Sequence, residues 1–146
     1  MAVKAIPDGY HSVTPHLLVR GAAQLIDFLK EAFGAQETYR VPGPEGIMHA
    51  EMRIGDSTVM MADAMGGLEP MPIVLFLYVE DADAVYKRAL QAGGTSVQEL
   101  KDQFWGDRAG AVKDAFGNVW WIATHVEDVP AEELQRRLRG MASQHA

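Results

Sequence analysis

The chain has 146 residues, of which 48% are hydrophobic and 23% charged, and this balance is typical of one globular domain. It contains no cysteine, which excludes disulfides, thiolate nucleophiles and cysteine-ligated metal centres and favours a cytoplasmic location. The formal net charge of -7 disfavours nucleic-acid partners, because the field of the protein repels phosphate. The longest apolar run, residues 73–79, is far shorter than the roughly 20 residues that cross a bilayer, so no membrane segment is expected.

The sequence resembles itself at a shift of 60 positions, and a period of this kind is typical of a repeated supersecondary unit. The matched identities are Val19 with Val79, Ala22 with Ala82, Ala32 with Ala92 and Gly34 with Gly94. Apolar residues between these positions also fall on apolar residues 60 positions later. The repeat therefore predicts two tandem modules, at about residues 10–64 and 72–126, joined by a linker rich in Gly and Pro.

Each module is predicted to be a strand, a helix and three further strands. In the first module these elements are expected at residues 13–19, 22–33, 36–41, 48–54 and 58–62, with Gly34 ending the helix. In the second module they are expected at residues 73–79, 82–92, 96–100, 110–114 and 119–124. Neither module buries both faces of its sheet, so we expect one fused α+β domain over residues 1–146, built from two tandem βαβββ modules.

A C-terminal helix is predicted at about residues 129–142, after Asp128 as N-cap. Leu134, Leu138 and Met141 form one apolar stripe on this helix. The stripe is suited to packing on the same domain or on a second chain. A role as an interaction module is therefore a further, weaker hypothesis for this sequence.

Five segments carry a resemblance to a known family. They are residues 13–19 (VTPHLLV), 28–34 (FLKEAFG), 49–57 (HAEMRIGDS), 106–108 (GDR) and 114–120 (DAFGNVW). The chain resembles the vicinal oxygen chelate superfamily of glyoxalases, bleomycin resistance proteins and extradiol dioxygenases, in its PhnB-like branch. The resemblance implies that the two modules form a cupped mixed sheet with a pocket on its concave side, and that the protein is a homodimer. It also implies, in many relatives, a divalent metal that acts as a Lewis acid.

The metal-ligand positions implied by the resemblance fall on Thr14, Met60, Val74 and Trp121. None of these residues offers an imidazole or a carboxylate, whereas a catalytic metal needs about three such ligands. We therefore expect the usual metal site to be missing, and no cofactor is predicted. The chain also has Ala115 where the branch usually has proline, and Asn118 where histidine is common.

Side-chain alternation along the strands predicts which residues line the pocket. One side of the strands is aliphatic and suited to packing on helices, with Val13, Leu17, Val19, Ile73, Leu75, Leu77 and Val79. The other side is mixed and aromatic, and with two loop residues at the rim it gives the predicted ligand-binding set: Thr14, His16, Met60, Val74, Phe76, Tyr78, Trp105, Arg108 and Trp121. Such a wall is typical of a site for a small apolar or aromatic molecule.

A second function stays open. His49 and Glu51 lie two residues apart on one side of a strand, and with His16 they could supply two imidazoles and one carboxylate to Zn, Ni, Mn or Fe. That set would make the protein a metal-dependent lyase, isomerase or dioxygenase. Glu51 and Arg53 also suit a surface ion pair that needs no metal. No nucleophile elbow, dinucleotide fingerprint or phosphate loop is present, so no catalytic residue is assigned.

Overall fold

The computed structural model describes residues 2–144. The first module contains β1 (His16–Val19), α1 (Ala22–Phe33), β2 (Gln36–Gly43), β3 (Gly46–Ile54) and β4 (Ser57–Asp63). The second contains β5 (Val74–Tyr78), α2 (Ala82–Gln91), β6 (Thr95–Asp102), β7 (Asp107–Lys113) and β8 (Val119–His125), and α3 (Ala131–Gln144) follows. The predicted α+β fold of two tandem βαβββ modules with a C-terminal helix is confirmed.

Each module forms a mixed sheet of four strands. The strand orders are β1-β4-β3-β2 and β5-β8-β7-β6, with the first strand parallel to the last in each module. β1 begins at His16 rather than at residue 13, and Val13 is 84% exposed, so its predicted place on the helix-packing side is wrong. Pro15 separates Val13 from the ladder, since proline has no N–H to donate and biases the preceding residue toward extended conformations.

The last strand of each module holds the N-terminus of the helix of that module. In the first module, Oδ1 of Asp63 accepts hydrogen bonds from the backbone N–H groups of Gly21 and Ala22, at 2.6 and 2.9 Å. In the second, Oγ1 of Thr124 accepts from the N–H of Ala82 at 2.9 Å. These bonds satisfy N–H groups that a helix cannot pair internally, and they fix each helix on its sheet.

The two helices form a layer between the two sheets. α1 contacts β3, β4 and α2, and α2 contacts β6, β7 and β8. One contiguous hydrophobic core runs through both modules, and the rings of Phe33 and Trp120 meet across the module boundary at 5.1 Å. Because the helix-packing side of each sheet is turned toward this shared core, the opposite side of each sheet is turned away from it.

These two outer sides are named face one and face two. Face one belongs to the first sheet and carries His16, Leu18, His49, Glu51 and Met60. Face two belongs to the second sheet and carries Val74, Phe76, Tyr78, Asp107, Trp121 and His125.

α3 is anchored near the middle of its length. The guanidinium of Arg137 donates to the carbonyl oxygen of Phe104 at 3.0 Å and pairs with Glu127 at 2.8 Å. Beyond this anchor, Leu138 and Met141 are exposed. No helix in residues 2–144 combines the length and the apolar character needed to span a membrane.

Candidate functional site

Face two carries a continuous group of four aromatic rings. Phe76 stacks on Trp121, with ring centroids 5.8 Å apart and planes inclined by 14°, because the two residues are partners in the β5–β8 ladder. Tyr78 lies 5.2 Å from Phe76, and Trp105 meets Trp121 edge to face at 6.1 Å. Phe76 and Tyr78 are 44% and 63% exposed. The predicted residues Val74, Phe76, Tyr78, Trp105 and Trp121 therefore lie together, and they present an apolar surface outside the core.

A buried carboxylate lies at the edge of this aromatic group. Asp107 is 1% exposed. Its Oδ2 accepts hydrogen bonds from the hydroxyl of Tyr78 at 2.9 Å and from the indole N–H of Trp105 at 2.7 Å. Its Oδ1 contacts Nδ1 of His125 at 2.8 Å. Burial opposes ionisation of Asp107, but the hydrogen bonds from His125, Trp105 and Tyr78 outweigh it and hold the pKa of Asp107 below its ordinary value.

His125 lies between two carboxylates. Its Nε2 contacts Oδ1 of Asp128 at 2.7 Å, on the opposite side of the ring from Asp107. Asp128, and then Asp107, raise the pKa of the imidazole above its ordinary value, because both stabilise the protonated form. The hydrogen bond to Asp107 likewise raises the pKa of Tyr78, since a phenolate beside a carboxylate is disfavoured. In this network each ring nitrogen of the protonated His125 donates its own N–H to a different carboxylate, and the phenol of Tyr78 keeps its proton.

Face one is polar and contains the alternative metal set. Nε2 of His49 and Oε2 of Glu51 are 2.7 Å apart, and the rings of His16 and His49 lie 6.1 Å apart. Burial, reinforced by the neighbouring His49, lowers the pKa of His16. Met60 is the register partner of both His16 and Glu51, so the predicted residues do share one face. Yet no three His, Asp or Glu side chains of residues 2–144 are arranged to share one ion.

The N-terminal segment covers part of face one. Oγ1 of Thr58 donates to the carbonyl oxygen of Gly9 at 2.8 Å. Gly9 and Tyr10, together with Tyr39, Glu51 and Arg53, line a small cavity of about 340 Å³. The N-terminal segment therefore partly covers this end of face one, whereas the aromatic group of face two is accessible to solvent.

Face one and face two do not combine into one cup within a single chain. A cleft of about 1110 Å³ does lie between the modules, but its walls are mainly the helix-packing sides, with Val59, Leu75, Leu77 and Trp120. Of the nine predicted ligand-binding residues, only Phe76 and Tyr78 line this cleft. The described chain thus carries two half-sites on opposite sides of a shared core, which the periodicity of the sequence did not indicate.

Residues 10–122 match the profile of the Glyoxalase/Bleomycin resistance protein/Dioxygenase superfamily. The chain belongs to this superfamily. A functionally uncharacterized protein of Mycobacterium bovis is 43% identical to it over 147 residues, which cover 92% of this chain and 94% of that protein.

Solved structures of the superfamily fold superpose on this chain. TioX from a Micromonospora species has a TM-score of 0.69 and 25% identity, covering 80% of this chain and 99% of TioX. A PhnB protein from Bacillus cereus has a TM-score of 0.64 and 19% identity over 78% of this chain and 99% of that protein. TnmS3, an antibiotic binding protein from a Streptomyces species, has a TM-score of 0.61 and 22% identity over 79% of this chain and 97% of TnmS3.

The metal that many superfamily members use does not fit the corresponding residues here. Thr14 precedes β1, and its hydroxyl donates to the carbonyl oxygen of His11 at 3.4 Å. Val74 and Trp121 lie on face two, and Met60 lies on face one. A hydroxyl, a thioether, an isopropyl group and an indole are not the donor set of a catalytic divalent metal. We therefore derive no chemical step through a metal at these positions.

Arg108 is placed apart from the aromatic group. It is the ladder partner of Thr124, on the side of β7 and β8 that packs on α2. Its guanidinium forms two hydrogen bonds to Asp83, at 2.8 and 2.9 Å, and one to Asp102 at 3.2 Å. These carboxylates raise the pKa of Arg108 further. Arg108, predicted to lie at the rim of the pocket, thus connects α2 to two strands on the far side of the sheet from Trp121.

Asp107 and His125 are the site residues that sequence reasoning missed as partners of the aromatic group. The available signal was the segment Trp105-Gly106-Asp107, in which an indole N–H donor stands two residues from a carboxylate acceptor.

Asn118, which stands where histidine is common in the PhnB-like branch, has a structural role. Its Oδ1 accepts a hydrogen bond from the N–H of Ile73 at 3.1 Å, and its side-chain amide donates to Asp114 at 3.0 Å.

Proposed function

We propose that this superfamily member binds a small apolar or aromatic molecule against face two, without the usual metal site. The observation that carries the proposal is the contiguous group of four rings formed by Phe76, Tyr78, Trp105 and Trp121, of which Phe76 and Tyr78 are exposed and the two tryptophans half-buried. Flat aromatic surfaces of this size supply large contact area and stacking energy to a planar ligand. Isolated exposed aromatics are common, but a contiguous apolar patch on one sheet face is typical of a ligand or protein contact.

The likeness to TnmS3 supports the same function, since that protein binds an antibiotic and superposes on most of this chain. The cysteine-free sequence favours action in the cytoplasm.

The protein is proposed to act as a homodimer in which face two of one chain lies opposite face one of its partner. A two-fold axis would then generate two equivalent sites, each with an aromatic wall and a polar wall. Three observations support this arrangement: the two half-sites face away from the shared core, face two carries an apolar aromatic group, and Val74 at its border is 66% exposed. The ligand in this proposal is enclosed between His16, His49 and Met60 of one chain and the aromatic group of the other.

Fluorescence titration with N-phenyl-1-naphthylamine, a neutral aromatic probe, tests the proposed function. We expect saturable binding that Trp121→Ala weakens about tenfold, equivalent to about 1.4 kcal/mol, because the central ring of the group is lost. Tyr86→Ala is the matched control, since Tyr86 is an aromatic residue of α2 that bonds Ser96 away from face two. EDTA should leave the Kd unchanged. Absence of saturable binding, or equal Kd values for wild type and Trp121→Ala, would contradict the proposal.

A metal-dependent lyase, isomerase or dioxygenase is the second candidate, and the short contact between His49 and Glu51 beside His16 is what favours it. Native mass spectrometry of protein purified without chelators tests this function. One divalent ion per chain that His49→Ala and Glu51→Ala both remove would support it. Retention of the ion by both variants would exclude these side chains as its ligands.

A further inference from the structure

We infer that Asp107 is the positioning residue of the ligand site: it orients Trp105 and Tyr78 so that their ring surfaces, and not their polar atoms, meet the ligand. The inference rests on the proposed function. Asp107 touches no ligand in this scheme and acts through the two rings that it holds.

The contacts of Asp107 come from three separate parts of the chain. Tyr78 is the last residue of β5, Trp105 is in the turn between β6 and β7, and His125 ends β8. All three donate to one carboxylate that is 1% exposed. A buried carboxylate is tolerated only when its oxygens are well paired, so the three donors and the acceptor fix one another.

Gly106 lets this turn close. Its φ is +103°, and a Cβ at this position would collide with the carbonyl oxygen of Glu127. Its own carbonyl oxygen accepts from the N–H groups of Val126 and Glu127 at 2.9 and 3.0 Å. The chain after β8 is thereby held against the turn, which places Trp105 over face two with its indole N–H directed at Asp107.

A consequence for ligand choice follows from where the polar atoms point. The indole N–H of Trp105 and the hydroxyl of Tyr78 are both engaged by Asp107. A ligand on face two therefore meets the ring surfaces of Trp105, Trp121 and Phe76, with the two polar atoms already satisfied. The site is suited to planar apolar groups that form no hydrogen bond with Trp105 or Tyr78.

Asp107→Asn is the first variant to test, with ¹⁹F NMR of protein labelled with 5-fluorotryptophan. Three tryptophans give three resonances, and Trp105→Phe assigns the one from Trp105. We expect Asp107→Asn to shift or broaden the Trp105 resonance while that of buried Trp120 stays in place. Asp83→Asn is the matched control, because this carboxylate pairs with Arg108 on the other side of the sheet. An unchanged Trp105 resonance would overturn the inference even if no ligand binds.

Binding of N-phenyl-1-naphthylamine supplies the second readout. Tyr78→Phe and Trp105→Phe keep an aromatic ring while removing the donor to Asp107, so each should weaken binding about threefold to tenfold with the far-ultraviolet circular dichroism unchanged. These variants also test the inference if Asp107→Asn does not fold. If Asp107 acts through Trp105, then Asp107→Asn should cost much less affinity in a Trp105→Ala background. Additive losses would contradict the inference, whereas no binding by the wild type would contradict only the proposed function.

Discussion

The indole N–H of Trp120 donates a 3.0 Å hydrogen bond to Oδ2 of Asp114, and both side chains are buried in the core of the second module. The same carboxylate accepts from the backbone N–H groups of Phe116 and Asn118, at 2.9 and 3.0 Å. One aspartate therefore closes the turn between β7 and β8 and also fixes the largest side chain of the core. The hydrogen bond that the N–H of Ile73 donates to Oδ1 of Asn118 extends this unit to the start of β5.

Asp114→Ala should lower the free energy of unfolding by about 3 kcal/mol or more, because it leaves several buried donors without an acceptor. Urea unfolding followed by tryptophan fluorescence measures this loss. Asp56→Ala, in the exposed turn between β3 and β4, is the control and should change stability by less than about 0.5 kcal/mol. Equal stability of Asp114→Ala and wild type would show that the turn does not depend on this carboxylate.

Gly106→Ala should destabilise the fold by about 1–3 kcal/mol, since alanine is strained at a φ of +103° and its methyl group would meet the carbonyl of Glu127. Thermal unfolding, read against Gly67→Ala, measures the effect. Gly67 has open space around a built Cβ, so its variant should match the wild type. A Gly106→Ala protein as stable as the Gly67→Ala control would argue against close packing of this turn.

The Asp107–His125–Asp128 network should make stability depend on pH. The pKa of His125 is raised in the folded state, so its stabilising contribution is complete below the ordinary histidine value of 6.5 and is lost as pH rises through the folded value. The pKa of Asp107 is lowered, so its contribution is present above the ordinary value of 3.8 and is lost in more acidic solution. The network should therefore stabilise most between about pH 4 and 6.5.

Melting temperatures of wild type and His125→Gln, compared at pH 5.5 and pH 8.5, check this window. The difference should be larger at pH 5.5. His11→Gln, which changes an exposed histidine before β1, should show no such difference. A His125→Gln deficit that is the same at both pH values would mean that the charge on the imidazole does not contribute.

Val74→Asp should convert the proposed dimer into a monomer, because it places a charge at the border of the apolar face two. Sedimentation velocity measures the mass of the particle. Val97→Asp on β6 is the matched control, since Val97 is also exposed, at 46%, but lies on the strand farthest from β5. A wild-type monomer at all concentrations, or a dimer that survives Val74→Asp, would contradict the proposed arrangement.

The local parts of the fold could be predicted well from the sequence. α1 was predicted at its observed bounds because its apolar spacing and Gly34 are both local signals. β2 was predicted to stop before Pro42 but runs through it, because β2 is an edge strand and its ladder with β3 is irregular between Val41 and Pro42. β7 was predicted from residue 110 but begins at Asp107, because its first residues are held by bonds to β5 and β8 that no local pattern reveals.

For the candidate site, too, the residues set by local spacing could be predicted and those set by tertiary contacts could not. Strand alternation grouped Phe76, Tyr78 and Trp121 correctly, since their common face follows from spacing alone. Arg108 was grouped with them because the start of β7 was not known, and a difference of one position decides the side of a strand. The orientation of face one and face two depends on the contact between α1 and α2, and this contact is tertiary.

The shared helix layer places the side chains that stabilise the fold between the two sheets, and it leaves the outer sides of the sheets to contact other molecules. Exposed residues of face two such as Val74 and Phe76 can change size, polarity or charge while the side chains between the sheets keep their contacts. Evolution could therefore alter ligand preference one surface position at a time at little cost in folding. The same property makes face two a practical starting point for engineering receptors for new compounds.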